Sequence, residues 1–308
     1  MFIDDTIIMQ SNWNSFLLAI IIIASIIKSS KQYVINQNQE FTINKLEYVK
    51  IEKGNPGFER EINRHRNHSI HRPNNKHTQD TIDTGSTSNI LYHFSSNGAG
   101  GLVLTGPTKV YVIFYGTWTS TQINPTLVFI SNIGSTSWYN IEKTYYSQAT
   151  STSSQLPISG PLTLGGAWTL SYIFGTSIQG TNIPDALKSY ITSGALPNDP
   201  HGLYLWLTSP DVIEKSPMGG QFKSDYCGYH VNFMIGNTPY FYGFIGNPGK
   251  TSGTGCDPSW INSNVSPNGD IGVDAMVSCI GHEIVEAVSD ALGDAWFDSD
   301  GEENADKW

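Results

Sequence analysis

Short apolar runs constrain the fold of this 308-residue chain more strongly than any other feature. The run at 110–115 (VYVIFY) consists of β-branched and aromatic residues and is closed by Gly116, which predicts a buried β-strand. Further strands are predicted at 203–207, 229–234 and 240–245, and residues 171–172 are predicted to lie in another.

Helical patterns alternate with these runs. Residues 119–133 predict one helix, residues 138–147 a second, and residues 183–193 a third with Pro184 in its first turn. Strands interleaved with helices, followed by one long helix near the C-terminus, predict an α/β or α+β domain in which helices flank a mixed β-sheet. A zincin-like architecture is the alternative form of such a domain.

The N-terminal part of the chain carries a signal for export. Residues 16–27 (FLLAIIIIASII) are apolar except for Ser25, and this run is shorter than the roughly 20 residues that a spanning helix needs. Its length suits a signal peptide, although two Asp and no Lys or Arg precede it. We predict a signal peptide or N-terminal anchor at 1–30, a polar, largely disordered linker at 31–92, and a globular domain at 93–308.

The charge of the chain is unevenly distributed. From residue 91 onward there are seven Lys, no Arg and eighteen acidic residues, which gives a net charge of about −11. Nucleic acid is excluded as a partner, because phosphate binding requires clusters of Lys and Arg. Cations or neutral polymers fit this charge better, and we predict a secreted protein. A membrane is a partner only if the N-terminal apolar segment is retained.

The cysteines and two asparagines agree with export. Cys227 and Cys256 lie in loop-like sequence rich in Gly, Pro and Asp, where a disulfide forms easily, so we predict that they are paired. Cys279 lies in an apolar helical segment and is predicted to be a buried free thiol. Asn67 and Asn264 begin N-glycosylation sequons, a triplet that is also frequent by chance.

The long C-terminal helix is the most informative segment. Asp270 suits its N-cap and Gly293 its C-terminal stop. One ridge, with helical spacing, is apolar and should face the core; its members are Val273, Val277, Ile280, Ile284, Val288 and Leu292. A second ridge, read at every fourth residue, is wholly polar; its members are Asp274, Ser278, His282, Glu286 and Asp290.

The polar ridge predicts a divalent metal site, with zinc or calcium as the ion. His282 and Glu286 are four residues apart and can bind one ion, with Glu283 beside them as a water-activating base. Asp290 lies about 12 Å along the axis from His282 at about 1.5 Å per residue, so it can share that ion only if the helix bends or ends early. More accessible ligands return from the acidic tail; they are Asp298, Glu303 and Asp306.

The alternative interpretation is a solvated helix face. In that case His282 and Glu286 form a loose surface pair that contributes only about 0.2–0.5 kcal/mol to stability.

Five segments, in the same order, resemble the phosphate-induced protein 1 or EXORDIUM family, and the resemblance covers about residues 98–292. They are GGLVLTGPTKVYVIFYGTW (100–118), SWYNIEKTYY (137–146), CGYH (227–230), YFYGFIGNP (240–248) and SPNGDIGVDAMV (266–277). The resemblance implies a secreted protein, associated in plants with the cell wall and growth, and no settled enzymatic activity. We therefore expect an extracellular matrix or cell-wall polymer as its partner. It also identifies 93–308 as an EXORDIUM-like domain.

The C-terminal region is similar to microbial members of that family, because plant members look apolar there. The microbial pattern is a helix HE..EA.(T/S)D followed by W.D..G.E..D and a Cys. The matching positions are His282, Glu283, Glu286, Asp290, Trp296, Asp298, Glu303 and Asp306, and Trp308 stands where the Cys is expected. Zincin-like peptidases resemble the helix alone, because Glu286 replaces the second His of HExxH.

Three functional hypotheses follow. The first is a secreted EXORDIUM-like extracellular protein with a divalent-metal site. The second is a zinc-dependent hydrolase, a divergent HExxE peptidase with Glu283 as its catalytic base. The third is a matrix or carbohydrate-binding module, although tryptophans in such a domain usually pack in its core; its candidate residues are Trp118, Trp138, Trp206 and Trp260.

Overall fold

The computed structural model describes residues 39–49, 70–71, 89–216, 219–249, 256 and 265–306. The predicted signal peptide or anchor lies outside these residues, as do Asn67, Asn264 and Trp260. Within the described ranges, no helix is both long enough and apolar enough to cross a lipid bilayer.

The described residues form thirteen strands, three α-helices and one 3₁₀ helix. The strands are β1 (Ile43–Lys45), β2 (Ile70–His71), β3 (Leu91–Tyr92), β4 (Thr108–Tyr115), β5 (Tyr146–Ser147), β6 (Leu156–Pro157), β7 (Leu162–Leu170), β8 (Ser177–Gln179), β9 (Leu203–Thr208), β10 (Ile213–Lys215), β11 (Gly228–Ile235), β12 (Thr238–Gly246) and β13 (Trp296–Phe297). The helices are α1 (Ser120–Ile133), the 3₁₀ helix (Tyr139–Thr144), α2 (Asn182–Thr192) and α3 (Ile271–Ser289).

Seven strands form the central sheet, in the order β1-β7-β4-β9-β12-β11-β2. The strands from β1 to β12 in that order are mutually parallel, whereas β11 is antiparallel to both β12 and β2. The predicted mixed sheet is therefore confirmed. Its antiparallel end carries His230, which lies opposite Gly243 in the β11–β12 register.

Helices cover both faces of this sheet because side chains alternate along each strand. The even-numbered residues of β4 from Val110 to Phe114 share a core with α1 and α3. The odd-numbered residues from Tyr111 to Tyr115 share a second core with α2. The domain is thus a layered, mixed α/β structure, as predicted.

Three tryptophans proposed for a binding surface pack against these cores instead. Trp206 is fully buried on β9. Trp118 and Trp138 are half-buried against the core on the α1 and α3 side, and the Trp118 indole donates to the carbonyl of Tyr115 at 3.0 Å.

Three local predictions need correction. Residues 171–172 follow β7 rather than belonging to it, and Tyr172 instead turns its hydroxyl toward Asp211 at 2.8 Å. Residues 138–147 form the 3₁₀ helix and β5, because the extended backbone of Tyr145 ends the helix. Part of the predicted linker joins the central sheet: β1 pairs with β7, and its polar sequence suits an exposed edge position.

The N-terminus of α3 is capped as predicted. Oδ1 of Asp270 accepts the backbone N–H groups of Gly272 and Val273 at 3.0 and 3.1 Å, which satisfies donors that the first helical turn leaves free. At the other end α3 stops at Ser289, before the predicted stop at Gly293, because the backbone of Asp290 leaves the helical conformation.

Helix α3 lies close against β11. A Cβ atom at Gly228 would come within 2.6 Å of the Sγ atom of Cys279, so glycine is needed at this point of contact. The neighbouring Cys227 forms the predicted disulfide with Cys256, with 5.4 Å between their Cα atoms. Cys279 is free and buried, also as predicted.

Candidate metal centre

The polar ridge of α3 becomes buried toward the C-terminal end of the helix. Asp274 and Ser278 at its start are half-buried, but His282 is 4% exposed, Glu286 1% and Asp290 0%. The solvated helix face is therefore wrong for the part of the ridge that carries the His and Glu side chains. The reason is that the chain beyond α3 turns back and covers them.

Aromatic packing holds this returning tail in place. Strand β13 pairs with β3, and the Trp296 indole donates to the carbonyl of Tyr146 at 2.8 Å. The same ring contacts those of Tyr92, Tyr145 and Tyr146. Asp298 then forms a tight turn, because its Oδ1 accepts the N–H groups of residues 300 and 302. The tail beyond this turn carries Glu303 to the site.

Three predicted ligands meet where α3 and the tail come together; they are His282, Glu286 and Asp306. Nε2 of His282 lies 2.9 Å from Oε1 of Glu286 and 3.5 Å from Oδ1 of Asp306. One ligand atom of each residue lies within 4.8 Å of the others. Two ligand atoms on one tetrahedral zinc ion are about 3.4 Å apart, so this spacing suits a shared ion. We call these residues the tail group.

A second set of possible ligands meets where α3 lies against strand β11 of the sheet; its members are His230, Glu286 and Glu303. Nδ1 of His230 lies 3.7 Å from Oε2 of Glu286, and Nε2 of the same ring lies 3.7 Å from Oε1 of Glu303. The ligand atoms of this set, which we call the sheet group, also lie within 4.8 Å of one another.

Sequence reasoning missed His230 as a site residue. The available signal is its position on β11, where Tyr229 and Val231 pack on the opposite face of the sheet. His230 therefore faces α3, and its side chain is 3% exposed. An ionisable residue facing inward on a central strand is uncommon without a partner.

Glu283, the predicted catalytic base, contacts His230. Its Oε2 lies 3.3 Å from Nδ1 of that ring, and the carboxylate is fully buried. A carboxylate that accepts the Nδ1 proton of a histidine leaves Nε2 free to bind an ion, and such pairs orient many metal-binding histidines. The contact therefore places Glu283 where it can orient the His230 ring.

Two other predicted ligands lie outside both groups. Asp290 uses Oδ1 to accept the N–H groups of Asp294 and Ala295, each at 2.7 Å, while its buried Oδ2 accepts no hydrogen bond from the described residues. Burial raises the pKa of Asp290 to about 7. Asp298 serves the turn that positions the tail.

Several buried carboxylate oxygens lack a hydrogen-bond partner among the described residues. Glu303 is 0% exposed, and neither of its oxygens accepts a hydrogen bond. Glu142, on the 3₁₀ helix, is bound through Oε1 to the Asn304 amide, but its Oε2 has no such partner. Within the described ranges, no Lys or Arg forms an ion pair with either carboxylate. An ionised carboxylate is costly to bury alone, so each needs a proton or a cation.

Burial dominates the electrostatics of the cluster. It raises the pKa of Glu283 to about 8 and raises the pKa of Glu303 far above its usual range. It lowers the pKa of His230. Burial also opposes the charging of His282, but the Glu286 carboxylate outweighs it and the pKa of His282 rises well above its usual value. Without a cation the cluster therefore holds protons near neutral pH, and a divalent ion would displace them.

Comparison with known proteins gives matches over the region that contains both groups. A family model described as the phosphate-induced protein 1 conserved region matches residues 97–307. Protein EXORDIUM-like 3 of Arabidopsis thaliana is 33% identical over 223 residues, which cover 64% of this chain and 62% of that protein. Protein EXORDIUM-like 5 of the same plant is 29% identical over 231 residues, covering 68% and 59%. The chain thus spans about three fifths of the length of these curated relatives, and no solved structure matches it significantly.

Proposed function

Because the chain belongs to the phosphate-induced protein 1 family, we propose that it is a secreted EXORDIUM-like protein that holds a divalent cation in the buried cluster beneath its C-terminal tail. The cation fixes the tail to α3, and its first ligands are the tail group: His282, Glu286 and Asp306.

The observation that carries this proposal is the burial of His282 and Glu286 beside the Asp306 carboxylate, with one ligand atom of each residue within 4.8 Å of the others. The neighbouring Glu303 adds to the need for a cation, because it is 0% exposed, accepts no hydrogen bond from the described residues and has the His230 ring nitrogen at 3.7 Å. The His230 imidazole and further carboxylates lie beside Glu303, and these are ligand types that metal ions use.

The ligand types favour zinc over calcium. Each group combines one histidine with two carboxylates. Imidazole nitrogen suits zinc and related transition metals, whereas calcium takes oxygen ligands almost exclusively.

The geometry favours a structural ion over a catalytic one. Catalytic zinc keeps an open position for water or substrate, while structural zinc is enclosed by protein ligands. His282 and Glu286 are almost fully buried, and only the Asp306 side chain, at 23% exposure, reaches solvent appreciably. Glu283 contacts the ring of His230, as a positioning residue would. In the hydrolase hypothesis it would instead activate a bound water.

Secretion is supported by two independent features. The apolar segment 16–27 has the length of a signal-peptide core. The disulfide between Cys227 and Cys256 is of a kind that persists mainly in oxidising compartments. A matrix or cell-wall polymer is the partner that fits an acidic chain without Arg after residue 91.

Elemental analysis of the purified full-length protein tests the proposal. After zinc loading and removal of excess ion, the wild-type protein should retain at least one zinc more per chain than His282→Ala. His201→Ala is the matched control, because His201 is exposed on a turn and belongs to neither group. Equal zinc retention by wild type and His282→Ala would show that no ion binds at this position.

A further inference from the structure

The two oxygens of Glu286 face different histidines. Oε1 lies 2.9 Å from Nε2 of His282, and Oε2 lies 3.7 Å from Nδ1 of His230. A ligand atom of Glu286 also lies within 4.8 Å of the ligand atoms of both other members of each group, so this carboxylate can act as a bridging ligand, with one oxygen for each of two ions.

We propose that the cluster is a two-ion centre, in which Glu286 bridges one divalent ion in the tail group and a second in the sheet group. The ions are zinc or another first-row divalent metal. This inference rests on the proposed function and extends it, because a single ion would satisfy that proposal.

A single ion cannot use all the ligands that the fold assembles. The two histidines fall in different groups, and Glu286 is the one residue that the groups share. An ion bound by His282 and Asp306 would leave Glu303 buried with both oxygens unsatisfied. A second ion between His230 and Glu303 removes that deficit.

Glu283 supports the second site. With its proton on Nδ1, His230 donates to Glu283 at 3.3 Å and offers Nε2 to an ion. Nε2 is also the ring nitrogen that faces Glu303, at 3.7 Å. The sheet group therefore has an oriented imidazole and an unpartnered carboxylate aimed at the same point.

The charge balance also favours two ions. Five carboxylates lie close to the two histidines, and a sixth, Glu142, lies beside Glu286; the five are Glu283, Glu286, Asp290, Glu303 and Asp306. Two divalent ions would offset four of those charges. The carboxylates outside the two groups have other contacts: Asp290 accepts two backbone N–H groups, Glu283 lies 3.3 Å from Nδ1 of His230, and Glu142 accepts from the Asn304 amide.

The two ions would cross-link different parts of the domain. The ion of the tail group ties α3 to Asp306, and the ion of the sheet group ties β11, α3 and Glu303 together. Two metals that share a carboxylate in proteins are about 3.5–4 Å apart. At that separation their unpaired electrons couple when the ions are paramagnetic.

Zinc retention in single variants of the full-length chain counts the ions. Relative to wild type, His230→Ala and His282→Ala should each lose one zinc per chain, Glu286→Ala should lose two, and His201→Ala none. Loss of one zinc in His282→Ala alone leaves a single-ion site in the tail group, which overturns this inference and keeps the proposed function. Loss of one zinc in His230→Ala alone places a single ion in the sheet group and overturns both. No loss in either histidine variant overturns both.

Cobalt(II) loading of the wild-type protein gives a measurement that does not depend on variants folding. The electron paramagnetic resonance signal should grow with the first equivalent bound at the centre and then fall per ion as the second binds, because a bridging carboxylate couples the two spins. A signal that grows in proportion to cobalt through both equivalents means that Glu286 bridges no pair, and the inference fails.

Discussion

Nε2 of His282 lies 2.9 Å from Oε1 of Glu286, one turn further along α3, and both side chains are withdrawn from solvent. On an exposed helix such a pair would contribute a few tenths of a kcal/mol. Here the pair lies among buried carboxylates, so its contribution depends on what neutralises them. A bound cation turns the same residues from a source of repulsion into a link between α3 and the tail.

The first prediction concerns chelation. A chelator should lower the melting temperature of the zinc-loaded protein, because an ion bound only to the folded state stabilises it by about 4 kcal/mol when its free concentration is 1,000 times Kd. Differential scanning calorimetry measures the change. His282→Ala should melt lower than wild type and respond less to chelator, whereas His201→Ala should behave as wild type. A melting temperature that chelator leaves unchanged, in protein shown to be loaded beforehand, contradicts the prediction.

The second prediction concerns export. Expressed in a eukaryotic cell, the protein should appear in the medium without its first ~25–31 residues, the usual span of a signal peptide. N-terminal sequencing of secreted material tests this. Recovery from the cytosol with segment 16–27 intact would contradict it.

Sequence patterns predicted the elements and the local part of the site. Apolar runs located the main strands, and Asp270 marked the start of α3. The spacing of His282 and Glu286 located a pair that the structure does bring together. These features depend on neighbours within one or two turns of the chain, which is the range that a periodic pattern reports.

The long-range part of the site could not be predicted in this way. His230 meets Glu283 because β11 lies beneath α3, and that depends on strand order in the sheet. Glu142 is linked to the site by a hydrogen bond from the amide of Asn304, which is far away in the sequence. The early end of α3 depends on the Asp290 side chain, which captures N–H groups of the following turn. Each contact follows from tertiary structure and leaves only a weak local signal.

The third prediction concerns Glu214, a buried acid on β10 remote in sequence from the metal ligands. It accepts hydrogen bonds from the hydroxyls of Tyr226 and Tyr229, yet burial raises its pKa from 4.5 to about 8. A raised folded-state pKa contributes stability below the unfolded pKa, and that stability is lost as pH rises toward 8. One unit of pKa difference corresponds to about 1.4 kcal/mol, so the loss of unfolding free energy is roughly 5 kcal/mol.

Urea unfolding of Glu214→Gln between pH 4.5 and 8.5 measures this contribution. The variant should lose less stability than wild type as the pH rises, because its side chain stays neutral. Glu47→Gln is the control, since the Glu47 side chain is 80% exposed. Parallel pH profiles for wild type and Glu214→Gln would contradict the prediction.

The fourth prediction concerns the pH dependence of the metal-free protein. The folded-state pKa values of Glu283 and Asp290 are raised to about 8 and about 7, and that of His282 is also raised. Each contributes stability that is lost as pH rises through its folded pKa. His230 acts in the opposite direction, because its pKa is lowered. The carboxylates outnumber it, so metal-free protein should lose stability between about pH 4.5 and 8.

Zinc-loaded protein should not share this loss, because the ion stabilises the ionised ligands. Zinc stabilisation, measured as the difference in unfolding free energy with and without chelator, should therefore increase from pH 5 to pH 8. The contribution of Glu214 is common to both forms and cancels in the difference. A zinc effect of constant size across this range would contradict the raised pKa values.

The fifth prediction separates the two roles proposed for Glu283. As a positioning residue it holds Nδ1 of His230, 3.3 Å away, so Glu283→Gln should weaken zinc binding by about 10-fold to 100-fold, the usual effect of losing such a partner. As a hydrolytic base it would leave zinc binding intact and abolish turnover. Competition with a chelator of known affinity measures the first effect. Glu283→Gln that binds zinc as tightly as wild type contradicts the positioning role, and loss of a measurable hydrolase activity in the same variant would assign Glu283 to catalysis.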